Sequence, residues 1–118
     1  MDPWTDSFSA FMDNEHCKES ELQAVLRDNN IDALIVTGLA YEYCVAFTAV
    51  DAADFQFSVA VVRDATAAIT KHGIEETIPK FIEKKISEIK TDDAMEVIEH
   101  RRYPIEWMER LINEVLKK

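Results

Sequence analysis

Basic residues are scarce in this sequence: 13 Lys and Arg stand against 23 Asp and Glu, a formal net charge of −10 at pH 7. A surface of that sign repels phosphate backbones and anionic bilayers, so neither nucleic acid nor membrane is an expected partner. No apolar run approaches the roughly 18 residues of a spanning helix, and the start of the chain shows no signal-peptide pattern. The expectation is a soluble, intracellular, cytoplasmic protein. Cysteine is limited to Cys17 and Cys44, which fit no zinc spacing and suit a reducing compartment. His16, His72 and His100 form neither a His-x-x-x-His pair nor a cluster with carboxylates at ligand spacing, so no metal site is expected. Internal repeats and low-complexity linkers are also missing. What remains is 118 residues with 47% hydrophobic content, enough for one domain with a modest core and too apolar for a disordered tail.

The stretch Ile35–Cys44 (IVTGLAYEYC), together with the residues after it up to Asp54, organises the rest. Ala33 to Val36 is apolar without alternation and leads to Gly38, the pattern of a buried parallel strand. From Tyr41 the period changes. Val45, Ala46, Ala49, Val50, Ala52 and Ala53 recur at helical spacing, which puts Cys44 in the first turn of a helix beginning at the strand's carboxyl end. Unpaired N–H groups and the positive end of the helix dipole favour a thiolate there, as a nucleophile requires. A small buried hydrophobe is the other reading of such a cysteine.

Along the chain, Met1–Asn14 reads as an irregular segment with Trp4, Phe8 and Phe11 seeking a neighbouring layer. Ser20-Glu21-Leu22-Gln23 has the form of a capping box, opening a helix to about Asp28 with Leu22, Val25 and Leu26 inward. Ser58–Val62 is a second, β-branched strand. Asp64 begins the next connection, either as a brace of the turn or as a functional carboxylate in the crevice. A helix over Ile74–Lys85 turns Ile74, Ile78, Phe81 and Ile82 inward and either kinks or starts at Pro79. Ser87–Thr91 is a third strand and Asp92–Ile98 a short closing turn or helix. Ile105, Met108, Leu111, Ile112, Val115 and Leu116 make a last amphipathic helix, for packing or for a partner.

The run TGLAYEYCVAFTAVDAADFQFSVAVVRDATAAI resembles the nucleophile region of the isochorismatase-like cysteine hydrolases of nicotinamidase (pyrazinamidase) type, and Asp6-Ser7-Phe8-Ser9-Ala10-Phe11 resembles their Asp-Ser-Tyr-Ser-Ala-Phe segment. The likeness spans about residues 2–98. It implies the C-terminal half of a doubly wound parallel α/β sheet, about three strands with flanking helices, and leaves 99–118 as an additional helix. Where the family carries Leu-Gly-Tyr this chain has Phe55-Gln56-Phe57, which puts a non-glycine in a left-handed turn.

The resemblance also implies a chemistry. Cys44 would be the nucleophile, the Leu39–Ala40 peptide would be cis, and the N–H groups of Ala40 and Cys44 would form the oxyanion hole, with Leu39 and Ala40 beside the substrate. The reaction is hydrolysis of nicotinamide to nicotinate and ammonia, in NAD salvage. The family's catalytic lysine and aspartate and its Asp and His zinc ligands precede the point where this chain opens at Met1-Asp2-Pro3, so no cofactor is expected here. Substitute bases are poor: Glu42 faces away from Cys44, Asp51 lies about 10 Å along the axis, and His72 opens a later helix. Three expectations stand side by side: a fragment or truncated isoform, inactive alone; a non-catalytic binding or scaffold derivative; or a small enzyme with a rebuilt site. In the family order the first strand here would lose a neighbour. Its bare edge is expected to bring a homo-oligomer or a full-length paralogue, and a small-molecule amide is the substrate of the completed site.

Overall fold

The structure is a computed structural model that describes residues 9–12 and 20–116; Trp4, Phe8, His16, Cys17 and the side chains of Leu111 and Val115 lie outside that description. The element order is α1 (Leu22–Asp28), β1 (Ala33–Leu39), a π-helical turn (Tyr41–Val45), α2 (Ala46–Asp54), β2 (Ser58–Ala67), α3 (Lys71–Glu83), β3 (Ser87–Ile89), α4 (Thr91–His100) and α5 (Ile105–Leu116). The three strands lie in the order β1-β2-β3, all parallel, with helices on both faces. Parallel neighbours require crossover connections, and the helical segment after β1 and then α3 supply them.

Strand alternation sorts β2 between two layers. Val59 and Val61 face a core made with Phe11, Tyr41, Val45, Phe57 and Phe81 and with the small residues of α2. Ala46, Ala49, Ala52 and Ala53 are buried, so their short side chains let α2 lie close to the sheet. On the other face Ala60 and Val62 meet Ile89, Ala94 and Trp107. Phe11 finds its layer within the chain, against Phe55 and Phe57 at ring separations of 5.6 and 6.0 Å.

β1 is longer than its apolar run suggests and only half-buried, and its register with β2 slips between Val36 and Gly38. Gly38 takes φ 112°, in the region that favours glycine. The helix ends share another device. Asn30, Gln56, Lys85 and Arg101 all have positive φ, each just past the end of one of α1 to α4. In the first three the next residue donates back to a carbonyl five residues earlier, Ile31 to Leu26, Phe57 to Ala52 and Ile86 to Phe81. These are Schellman closures made without glycine; Phe57 and Ile86 are buried in the core, whereas Ile31 is exposed.

Several expectations are corrected. Ser20 does not form a capping box: its hydroxyl accepts from Leu22 N, one step too early, and donates to Ala10 O. Val25 is exposed, leaving Leu22 and Leu26 as the packed pair. β2 runs on to Ala67 rather than ending at Val62. α3 starts at Lys71, capped by Thr70 accepting from Gly73 N, and continues through Pro79. Its inward stripe is Ile74, Thr77 and Phe81, while Ile78 and Ile82 face out, because a helix against one sheet face buries a narrower arc than four isoleucine-like positions would fill. β3 is three residues long and α4 ten. Among the described side chains of α5 the buried one is Trp107, whereas Ile105, Met108, Ile112 and Leu116 are exposed.

Candidate active site

β1 delivers the chain to the carboxyl edge of the sheet, where Leu39 is exposed and the Leu39–Ala40 peptide is cis. Ala40 is extended, and its carbonyl accepts from Tyr43 N at 3.0 Å and Val45 N at 3.2 Å. The second of these spans five residues, which is what makes the turn π-helical. Cys44 sits in this turn, exposed and not in a disulfide, directly before α2. Earlier in the same turn, Tyr41 and Glu42 point elsewhere, and both are anchored.

Tyr41 is buried. Its hydroxyl donates to Glu88 of β3, its ring meets Phe81 edge-on at 5.6 Å, and the Arg63 guanidinium lies 4.4 Å over its face. Burial and then the Glu88 carboxylate push the phenol well above its ordinary range. Glu42 is also buried, at 9% exposure. Its carboxylate accepts from Ile69 N, from Thr70 N at 3.0 Å and from Thr70 Oγ1 at 3.1 Å, at the start of α3. The Ile69 N–H is the main cause holding this carboxyl below its usual range.

Glu42 is therefore engaged with the backbone ahead of α3 and is not aimed at Cys44. Asp51 is buried within α2, and His72 and His100 form exposed pairs with Glu76 at 3.0 Å and Glu96 at 3.4 Å, each one helical turn away. Asp64 braces the start of α4, its Oδ1 accepting from Thr91 N at 2.9 Å and Thr91 Oγ1 at 3.0 Å. Among the described residues no group of three His, Cys, Asp or Glu side chains could hold a metal ion. The described residues by themselves therefore do not fit a zinc site. No helix among the described residues is long and apolar enough to cross a membrane.

A strand, an exposed cysteine on the next turn and an alanine-rich helix across the sheet are the arrangement in which comparison with known proteins becomes informative. Residues 5–93 match the Isochorismatase domain. The chain belongs to the isochorismatase family. Nicotinamidases are among the relatives this family member matches: that of Escherichia coli is 45% identical over 67 residues, which are 57% of this chain and 32% of the relative. Among solved structures, the Acinetobacter baumanii nicotinamidase and pyrazinamidase superposes with a TM-score of 0.73 at 32% identity, covering 75% of this chain and 44% of that one. An L. infantum relative in complex with nicotinate gives a TM-score of 0.70 at 30% identity, covering 74% and 43%. The chain spans about a third of the length of the curated relatives it matches. This mixed α/β fold with its three-stranded parallel sheet matches the part of these neighbours that it covers.

Sequence reasoning missed the anchoring of Tyr41 and Glu42. Thr70 followed by Gly73 is visible as a helix start, yet its partner Glu42 is 28 residues earlier, and nothing local marks the pair.

Proposed function

We propose that this chain carries the nucleophile half of a nicotinamidase-like amidase. The observation that supports it is an exposed Cys44 on the turn leaving the carboxyl end of β1, within the stretch that matches the Isochorismatase domain. In the completed site the Cys44 thiolate attacks the carboxamide carbon of nicotinamide, and the Ala40 and Cys44 N–H groups receive the developing oxyanion. The C–N bond breaks and ammonia leaves with a proton from the acid/base group. Water then cleaves the thioester, returning the thiol and releasing nicotinate, a step of NAD salvage. The acid/base group is not Glu42, whose carboxylate is already engaged, so it comes from outside the described residues. The chain by itself is expected to release no ammonia from nicotinamide above background, with or without added zinc. Turnover that disappears in Cys44→Ala would overturn the half-site reading and favour a rebuilt site.

A second reading, a non-catalytic chain that acts by association, is favoured by one observation. Among the described residues β1 ends the sheet, with no strand on its outer edge and with Leu39, Ile35 and Val36 incompletely covered. A second copy of the chain is the occupant this edge suits. Two β1 edges related by a two-fold axis run antiparallel and satisfy each other's backbone groups, and burial on the order of 1,000 Å² in total is what a stable dimer needs. Size-exclusion chromatography with light scattering tests it: a dimer is expected, and a monodisperse monomer with a cooperative melt would refute the self-pairing.

A further inference from the structure

We propose that Glu42 is the positioning residue for Cys44, clamping the π-helical turn to the start of α3 so that the thiol is held outward at the sheet edge. This rests on the reading of Cys44 as nucleophile. Glu42 and Cys44 are two residues apart in one turn, so their side chains leave it on different sides: Glu42 is buried and Cys44 exposed. All three donors to Glu42 come from the two residues ahead of α3, two of them backbone N–H groups that cannot move without moving the helix.

Thr70 joins both ends of the clamp. Its hydroxyl donates to Glu42 Oε2 and accepts from Gly73 N, so the cap of α3 and the anchor of the turn are one network. Gly73 makes room for it. A Cβ at position 73 would lie 1.9 Å from Glu42 Oε2 and 2.6 Å from Cδ, inside the carboxylate itself. Position 73 has no unusual backbone angle, so the glycine serves the space that Glu42 fills. On the other side Tyr41 is fastened to Glu88. With residues 41 and 42 both tied down, the turn that presents Cys44 has little freedom. A carboxylate used this way carries no proton in the reaction, consistent with its engagement by three donors.

The test uses the full chain, iodoacetamide at neutral pH and a temperature at which circular dichroism shows every variant folded. Mass spectrometry gives the ratio of labelling rates at Cys44 and Cys17. The wild type is expected to label faster at Cys44. Glu42→Ala and Gly73→Ala are each expected to lower the ratio at least threefold, and Glu42→Gln, which keeps one acceptor oxygen, to lower it less. Thr70→Val removes one donor without adding volume and takes the place of Gly73→Ala if that variant does not fold. If Glu42 acted only through its charge, Glu42→Gln would raise the ratio and Gly73→Ala would leave it unchanged, which would overturn the clamp. A lowered melting temperature with an unchanged ratio would show a merely structural role and overturn it too. A wild-type ratio at or below one would sink the nucleophile reading and the positioning role together, so the two failures are distinguishable.

Discussion

Removing the indole of Trp107 tests whether α5 belongs to the core. Trp107 is 4% exposed, lies against Ala60, Val62, Ile89 and Ala94, and donates from Nε1 to Val59 O at 2.9 Å. Trp107→Ala deletes the largest side chain of that layer, a change that costs about 3–5 kcal/mol. Trp107→Phe keeps most of the apolar volume and loses the hydrogen bond to a buried carbonyl, for about 1–2 kcal/mol. Ile112→Ser, on the exposed side of the same helix at 57% exposure, is expected within about 0.5 kcal/mol of wild type. Against a total stability of roughly 5–15 kcal/mol, the alanine variant stands apart from the other two. Urea unfolding followed by far-ultraviolet circular dichroism is the assay, because Trp107 is itself a fluorophore. With a slope of about 1–3 kcal/mol per molar urea, the midpoint should fall by about 2 M for Trp107→Ala. A Trp107→Ala loss below about 1 kcal/mol would refute the packing of α5 on β2. So would an Ile112→Ser loss as large as that of Trp107→Ala, which would mean that the opposite face of the helix is the buried one.

Acid should weaken the clamp at Glu42. Its carboxyl is held below the ordinary value of 4.5 in the folded chain, so the stability it contributes is present above that value and lost as pH falls through the lower folded one. Melting temperatures measured from neutral pH downward should therefore fall less steeply in Glu42→Gln than in wild type below about pH 4.5; parallel curves would contradict the assignment. Gln56 holds φ 73° in the closure of α2, so Gln56→Gly is expected to raise stability by about 0.5–1 kcal/mol. A loss in the same urea titration would mean that the side chain of Gln56 contributes more than the backbone conformation costs.

The strand-to-helix switch that carries Cys44 was legible because it is written locally. The change from a strand period to a helix period between Ala33 and Asp54 places Cys44 at the start of a helical segment without knowledge of anything distant. The π-helical form of the turn was not legible, since one extra residue in a turn leaves no mark on a pattern of period 3.6. Nor was the inward stripe of α3. The sequence offers Ile74, Ile78, Phe81 and Ile82 as equals, and only the position of the sheet selects Thr77 and Phe81 for burial and turns Ile78 and Ile82 out.

By itself, then, the sequence determined the parallel α/β class, the order of strands and helices, the family, and the place of Cys44 next to Leu39 and Ala40. Each of these rests on neighbours within about a dozen residues, over which backbone preference and hydrophobic period act directly. The tertiary structure alone decided which apolar residues are core, that Trp107 is buried while Ile105, Met108, Ile112 and Leu116 of α5 are exposed, and that the partners of Glu42 are Ile69 and Thr70. Those outcomes depend on contacts across 28 residues for Glu42 with Thr70 and 48 for Trp107 with Val59. A side chain's worth there is set by the donors and volumes that folding brings to it, and these have no counterpart in local spacing.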